Sequence, residues 1–284
     1  MKHKPDFIII GSMKSGTTSL YAKLSKHSMV YMPTDKEPSI LIKNQSIYQI
    51  KSAYLAYFKN SKENMLCGEA STNYSKLPIY QGIPNKAYEL CGQDLKIIMI
   101  MRDPIERIYS HLRHEIAGKN IKPNEIDQAV LNDPIYISVS DYAMQLKPWV
   151  EKFGQNNILC ISFNEYKNDH TSCMKKVYNF LSLPENEYLN RKNIASNQSS
   201  ELRYTNDLTA YLINTRFYRK FIRPIVPNNL RSKLRNFILP KAQIPEFKLA
   251  PTTEAKLFER LHSVENEVSA LLGHPIRINS NETS

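Results

Sequence analysis

Asp6–Leu20 reads DFIIIGSMKSGTTSL. Phe7-Ile8-Ile9-Ile10 is an unbroken apolar run of the kind that fills a strand buried on both faces. Gly11-Ser12-Met13-Lys14-Ser15-Gly16 follows as a loop, and Thr17-Thr18-Ser19-Leu20 begins a helical pattern. Strand, glycine loop and helix start together aim backbone N–H groups at a phosphate. The amides of Ser15, Gly16, Thr17 and Thr18 are the candidate donors. The hydroxyls of Thr17 and Thr18 can add bonds, and Lys14 can reach a leaving-group oxygen. A nucleoside-triphosphatase loop carries its lysine directly after the second glycine. Here that position is Thr17, so the cation approaches from inside the loop. On this stretch alone, a plain tight turn between strand and helix is the bland alternative.

Working outward, Lys96–Met101 (KIIMIM) and Ile158–Phe163 (ILCISF) are two more apolar strands, with shorter ones expected at Val30–Met32 and Met65–Gly68. Helical patterns fall at Thr17–His27, Ile47–Phe58, Pro84–Cys91, from Pro104 onward, Ser140–Phe153 and Thr171–Leu181, with further helices at 207–221 and 251–272. Residues 118–135 read as a polar loop broken by Pro123 and Pro134. Apolar strands alternating with helices predict an α/β fold: a P-loop-like central parallel β-sheet flanked by helices on both faces. The expected organisation is a single domain over 1–284, in which 208–284 forms a basic, mainly helical C-terminal part.

The chain has 284 residues, 42% of them hydrophobic, enough for a sizeable core. No apolar run is long enough for a membrane-spanning helix, and the first residues lack a signal-peptide layout, so a cytoplasmic protein is expected. Cys67, Cys91, Cys160 and Cys173 show no metal-ligand spacing and read as buried free thiols. The net charge of +11 favours anionic partners without choosing among them. Much of it lies between Leu208 and Pro245, where Arg216, Arg219, Lys220, Arg223, Arg231, Lys233, Arg235 and Lys241 interleave with aromatic residues and no acid occurs. That stretch reads either as a solvated basic face or as a contact for an anionic acceptor or membrane surface.

A second anion site is suggested by Arg102, which ends the KIIMIM strand. Open α/β sheets bind ligands at that edge, and a guanidinium fork suits phosphate. Asp103 is a good N-cap and Pro104 a good first helical residue. Ser110 then falls two turns along the helix and can face the same anion. A structural pair between Arg102 and a carboxylate fits these residues equally well.

Taken together, these motifs resemble the sulfotransferase superfamily that uses 3′-phosphoadenosine 5′-phosphosulfate (PAPS). Gly11–Thr18 is similar to its 5′-phosphosulfate loop, and Arg102–Ser110 (RDPIERIYS) to its 3′-phosphate motif. The segment YAMQLKPWVEKFGQNNILCISFNEY (142–166) resembles the glycan-modifying and bacterial, heparan sulfate sulfotransferase-like branch. The resemblance implies PAPS as sulfuryl donor, no metal, and a hydroxyl-bearing glycan or glycolipid as acceptor. It also implies that Lys36-Glu37-Pro38 supplies the general base, Glu37, and that Lys14 stabilises charge on the leaving oxygen. Lys14, Ser15, Gly16, Thr17, Thr18, Arg102 and Ser110 would hold the cofactor. Relatives of the heparan branch carry a lysine where this chain has Ala70, which argues against a heparan-like acceptor. The late cofactor-capping loop corresponds to Arg191–Asn197. If Glu37 is not the base, His111 and Glu69 are the next candidates.

Two rivals follow from the same residues. One is a P-loop kinase, disfavoured by Thr17. The other is a non-catalytic protein binding an anionic polymer or membrane surface through 208–245; no nucleic-acid motif is present and no nucleic acid is expected. The two functions could coexist, with the enzyme docked at the cytoplasmic face of a membrane.

Overall fold

A computed structural model describes residues 4–184 and 244–279. The expectations for a helix at 207–221, the capping loop at 191–197 and nearly all of the basic stretch 208–245 lie outside the described residues.

Five parallel strands form one sheet: β1 (Phe7–Gly11), β2 (Val30–Tyr31), β3 (Leu66–Ala70), β4 (Lys96–Met101) and β5 (Ile158–Ser162). Their spatial order is β2-β3-β1-β4-β5. Phe7 pairs with Gly68 on one side and Lys96 on the other, and Met101 with Ser162 at the far edge. The chain leaves β1 toward β2 and β3, but leaves β4 toward β5. The loops after β1 and β4 therefore diverge, which opens a crevice at their carboxyl ends.

Both faces of the sheet are covered, as the unbroken apolar strands require. Ile8, Ile10, Ile97, Met99 and Met101 face one core with helices α2 (Ile47–Tyr57), α3 (Ile83–Cys91), α4 (Pro104–Ala117) and, further along the chain, Tyr142–Phe153. Phe7, Ile9, Ile98, Ile100 and Ile161 face the other, with α1 (Thr17–Leu24) and the helix His170–Phe180. All four cysteines are buried free thiols. No helix among the described residues is long and apolar enough to cross a membrane.

The polar reading of 118–135 is corrected. A 3-10 turn at Pro123–Glu125 leads into α5 (Ile126–Asn132) and α6 (Pro134–Ser138). Ile126 and Val130 lie one turn apart and are buried, so a short helix can present a single apolar edge while its other faces stay polar. Pro134 starts α6 rather than breaking a loop: Asp133 caps it, its Oδ1 accepting from Ile135 N at 2.9 Å. Similarly, α7 begins at Tyr142 because the Asp141 carboxylate accepts from Met144 N at 2.9 Å. It runs through Pro148 to Phe153. Phe163 opens α8 (Phe163–Asn168) instead of ending β5, and α9 spans His170–Phe180. The expected helix at 251–272 is two, α10 (Pro251–Leu261) and α11 (Val264–Leu272). They pack on α4 and α7 respectively. Tyr109 joins α10 to α4: its hydroxyl donates to Glu254 Oε1 at 2.6 Å and accepts from Leu249 N at 3.1 Å.

Candidate active site

The glycine loop lies at the carboxyl end of β1, beside the end of β4. Ser12 N donates to Ile100 O at 2.7 Å, which ties the start of the loop to the neighbouring strand. The Ser12 and Ser15 hydroxyls meet at 2.5 Å inside it, both fully buried. Two glycines are required by space. A Cβ on Gly11 would stand 2.1 Å from Ser75 Oγ, which donates to Ile10 O at 2.8 Å. Gly16, at φ 92°, sits against the Phe163 ring, 3.1 Å from where a Cβ would be. Gly16 is also the N-cap of α1, and as a glycine it offers no side chain to cap that helix. The leading amides of α1 are thus left for an external acceptor. Thr17 is buried and Thr18 exposed, so only the second hydroxyl is freely reached from solvent.

Lys14 has a positive φ of 71° and a half-buried side chain. Burial lowers its pKa; Glu115 works the other way, and Arg102 and Arg107 add to the lowering. The β4–α4 junction lies beside the loop, tied to it through Ser12 N and Ile100 O. At that junction Arg102 follows β4 directly. Its Nε donates to Glu106 Oε2 at 3.0 Å, so the structural pair exists, and its guanidinium lies 5.1 Å from the centre of the Phe163 ring. One ring therefore backs both Gly16 and Arg102. Asp103 and Pro104 start α4 as expected, with Glu106 N donating to Asp103 Oδ1 at 2.9 Å. Ser110 lies half-buried on α4, two turns on.

Glu37 reaches the site from the loop after β2. Its amide donates to Ala70 O at 3.0 Å, and its Oε2 accepts from Thr72 N at 2.7 Å and Thr72 Oγ1 at 3.3 Å. Its Oε1 pairs with Lys36 Nζ. Ser71 Oγ accepts from Ser39 N at 3.1 Å, so the loop is stitched to the end of β3, the strand beside β1. Glu37 is held by this stitching in a left-handed conformation, φ 62°.

The two substitute bases differ sharply from Glu37. His111 is buried on α4, 3.5 Å from Glu115 and 4.7 Å from the Tyr136 ring. Burial and then Arg107 push its pKa down to about 3. A neutral imidazole that weak is a poor proton acceptor near pH 7. Glu69 is fully buried in β3 with neither oxygen in hydrogen-bonding geometry. Burial raises it to about 7; the nearby Tyr74 and Tyr54 hydroxyls offset this only in part. It has no path to an acceptor.

Tyr142 is a connection that sequence reading took only as an apolar helix residue. Its hydroxyl donates to Arg102 O at 2.7 Å and accepts from Arg102 N at 3.3 Å. It also stands close enough to the Ser12 and Ser15 hydroxyls to be stabilised by them. Its two hydrogen bonds thereby fix the backbone of Arg102. A buried aromatic hydroxyl needs a partner, but only the packing shows which.

Residues 4–223 match a family model described as the sulfotransferase domain. The chain is 24% identical over 249 residues to a bifunctional heparan sulfate N-deacetylase/N-sulfotransferase 1 of Caenorhabditis elegans, covering 82% of this chain and 28% of that protein. It is 24% identical over 264 residues to a mouse carbohydrate sulfotransferase 15, covering 68% and 47%. It is also 37% identical over 117 residues to a membrane-associated sulfotransferase of Dictyostelium discoideum, covering 39% and 23%. The chain thus spans less than half the length of these curated relatives. Among solved structures, a sulfotransferase from Alicyclobacillus acidocaldarius superposes with a TM-score of 0.63 at 18% identity, covering 96% of this chain and 97% of that one.

Proposed function

We propose that this chain, which belongs to the sulfotransferase domain family, transfers a sulfuryl group from PAPS to a hydroxyl of a carbohydrate or glycolipid. The observation that carries the reading is the convergence at the β1–β4 crevice. An uncapped glycine loop with a half-buried lysine stands beside Arg102, and a carboxylate is clamped at the adjacent strand end.

The residues present fit the nucleotide. The loop carries Gly16 at φ 92° against the Phe163 ring, and as a glycine this N-cap leaves the leading amides of α1 without a side-chain cap. Ser15, Gly16, Thr17, Thr18 and Lys14 would hold the 5′ end; Arg102 and Ser110 would hold the 3′-phosphate. Bound there, PAPS supplies a sulfuryl group carried on a phosphate leaving group. Lys14 and the loop amides stabilise the charge that builds on that phosphate oxygen. Glu37 takes the proton from the acceptor hydroxyl, since an alcohol attacks poorly until its proton has somewhere to go. Thr72 aims the carboxylate through Oε2. The heparan and carbohydrate sulfotransferases among the relatives support a glycan acceptor. The acid-free stretch 208–245 supports peripheral contact with an anionic membrane.

The test is calorimetry with 3′-phosphoadenosine 5′-phosphate (PAP), followed by transfer from labelled PAPS to a glycan panel. Lys14→Ala and Glu37→Gln are both expected to abolish transfer, with Glu37→Gln keeping its PAP affinity. A wild-type protein that does not bind PAP would end this reading.

A further inference from the structure

Resting on that reading, we propose that Lys76 is a second lysine of the transfer site and grips the sulfuryl oxygens of the donor together with Lys14. Lys76 follows the 3-10 turn Thr72–Ser75, and that turn is fastened at both ends. Ser75 Oγ binds the phosphate-loop strand at Ile10 O, while Thr72 holds Glu37. On the other side Gln145 brackets the next residue, accepting from Leu77 N at 2.8 Å and donating to Leu77 O at 3.0 Å. The backbone of Lys76 is therefore set between the glycine loop and the carboxylate.

Its side chain is half-buried, yet among the described residues its ammonium makes no ion pair and no hydrogen bond. The same holds for Lys14. Both lysines are held below the ordinary range by burial, and Arg107 and Glu115 act on both. The two ammoniums therefore stand in the field of the same two groups. Arg102 acts in addition on Lys14, and Glu37 on Lys76. The backbone orders the two residues: Lys14 lies within the glycine loop, and Lys76 follows the turn that holds Glu37.

Two half-buried ammoniums with no partner among the described residues call for an anion. Placing an anion with several oxygens between them adds charge-assisted hydrogen bonds. The glycine loop already accounts for the phosphate. The anionic group lying beyond it, toward Glu37, is the sulfuryl. The end of β3 beside Glu37 is Ala70, which brings no charge of its own.

Calorimetry with PAPS and with PAP, on wild type, Lys76→Met and Lys76→Arg, tests this directly. Lys76→Met is expected to bind PAP as wild type does, which also shows that the fold is intact, and to bind PAPS about ten- to a hundredfold more weakly. Lys76→Arg is expected to recover most of that loss. Unchanged PAPS affinity in Lys76→Met overturns the proposal, because the ammonium then does not touch the sulfuryl. Equal loss toward PAP and PAPS also overturns it, because the lysine then serves the nucleotide. A wild type that binds neither nucleotide overturns the donor assignment beneath, and this proposal with it.

Discussion

Replacing Glu69 by glutamine should change how stability depends on pH below neutrality. Glu69 is fully buried, and burial, offset only in part by the nearby Tyr74 and Tyr54 hydroxyls, raises its pKa from 4.5 to about 7. Between those two values the folded protein keeps the proton and the unfolded chain has lost it. Stability then falls as pH rises through that window, and the loss is complete above the folded value. At 1.36 kcal/mol per unit, the window is worth about 3 kcal/mol. Glutamine has nearly the same shape and cannot ionise, so its own burial cost is constant with pH. Wild type and Glu69→Gln should therefore diverge, the variant gaining about 3 kcal/mol on wild type between pH 4.5 and 8. Urea unfolding followed by the fluorescence of Trp149, the single tryptophan and a buried one, measures this at each pH. Parallel stability curves for the two proteins would refute the reasoning, since they would mean the carboxylate ionises in the fold as easily as in water.

Two further outcomes concern the crevice. Gly16→Ala forces a Cβ to 3.1 Å from Phe163 at φ 92°, and should lower stability by about 1–3 kcal/mol while weakening PAP binding; urea titration and calorimetry read both, and wild-type PAP affinity would mean the loop conformation is not what holds the nucleotide. Arg102→Lys removes the planar fork that lies against Phe163 and should cost PAP about ten- to a hundredfold in affinity. Adenosine 5′-monophosphate, lacking the 3′-phosphate, should bind the variant and wild type alike, and an equal loss for both ligands would remove Arg102 from the 3′-phosphate.

Much of the frame was legible residue by residue. The runs Phe7–Ile10, Lys96–Met101 and Ile158–Ser162 can be satisfied only by strands covered on both sides, so a parallel sheet followed from them. Asp103 with Pro104 announced the start of α4, because their cap and φ preferences are local. The helices in 118–138 were not legible. Each buries a narrow edge, such as Ile126 and Val130, that a short polar segment does not advertise. Asp133 caps α6, but a capping residue identifies a helix only when an apolar stripe follows it.

The site divides along the same line. By itself the sequence determined that a glycine loop joins a strand to a helix start, that Lys14 does not stand where a triphosphatase lysine would, and that an arginine ends a second strand. These are properties of adjacent residues, set by backbone sterics and side-chain type. Only the tertiary structure decided that the loops after β1 and β4 diverge at one crevice, because strand order is a matter of packing between distant segments. It alone decided that Phe163 backs both Gly16 and Arg102, that Tyr142 holds the backbone of Arg102, and that Thr72 clamps Glu37. It also decided that Lys76, an ordinary lysine in the sequence, is half-buried with no ion pair or hydrogen bond of its ammonium among the described residues. Burial and the convergence of charges arise only when the chain is folded, and they turn a set of motifs into a site with a direction.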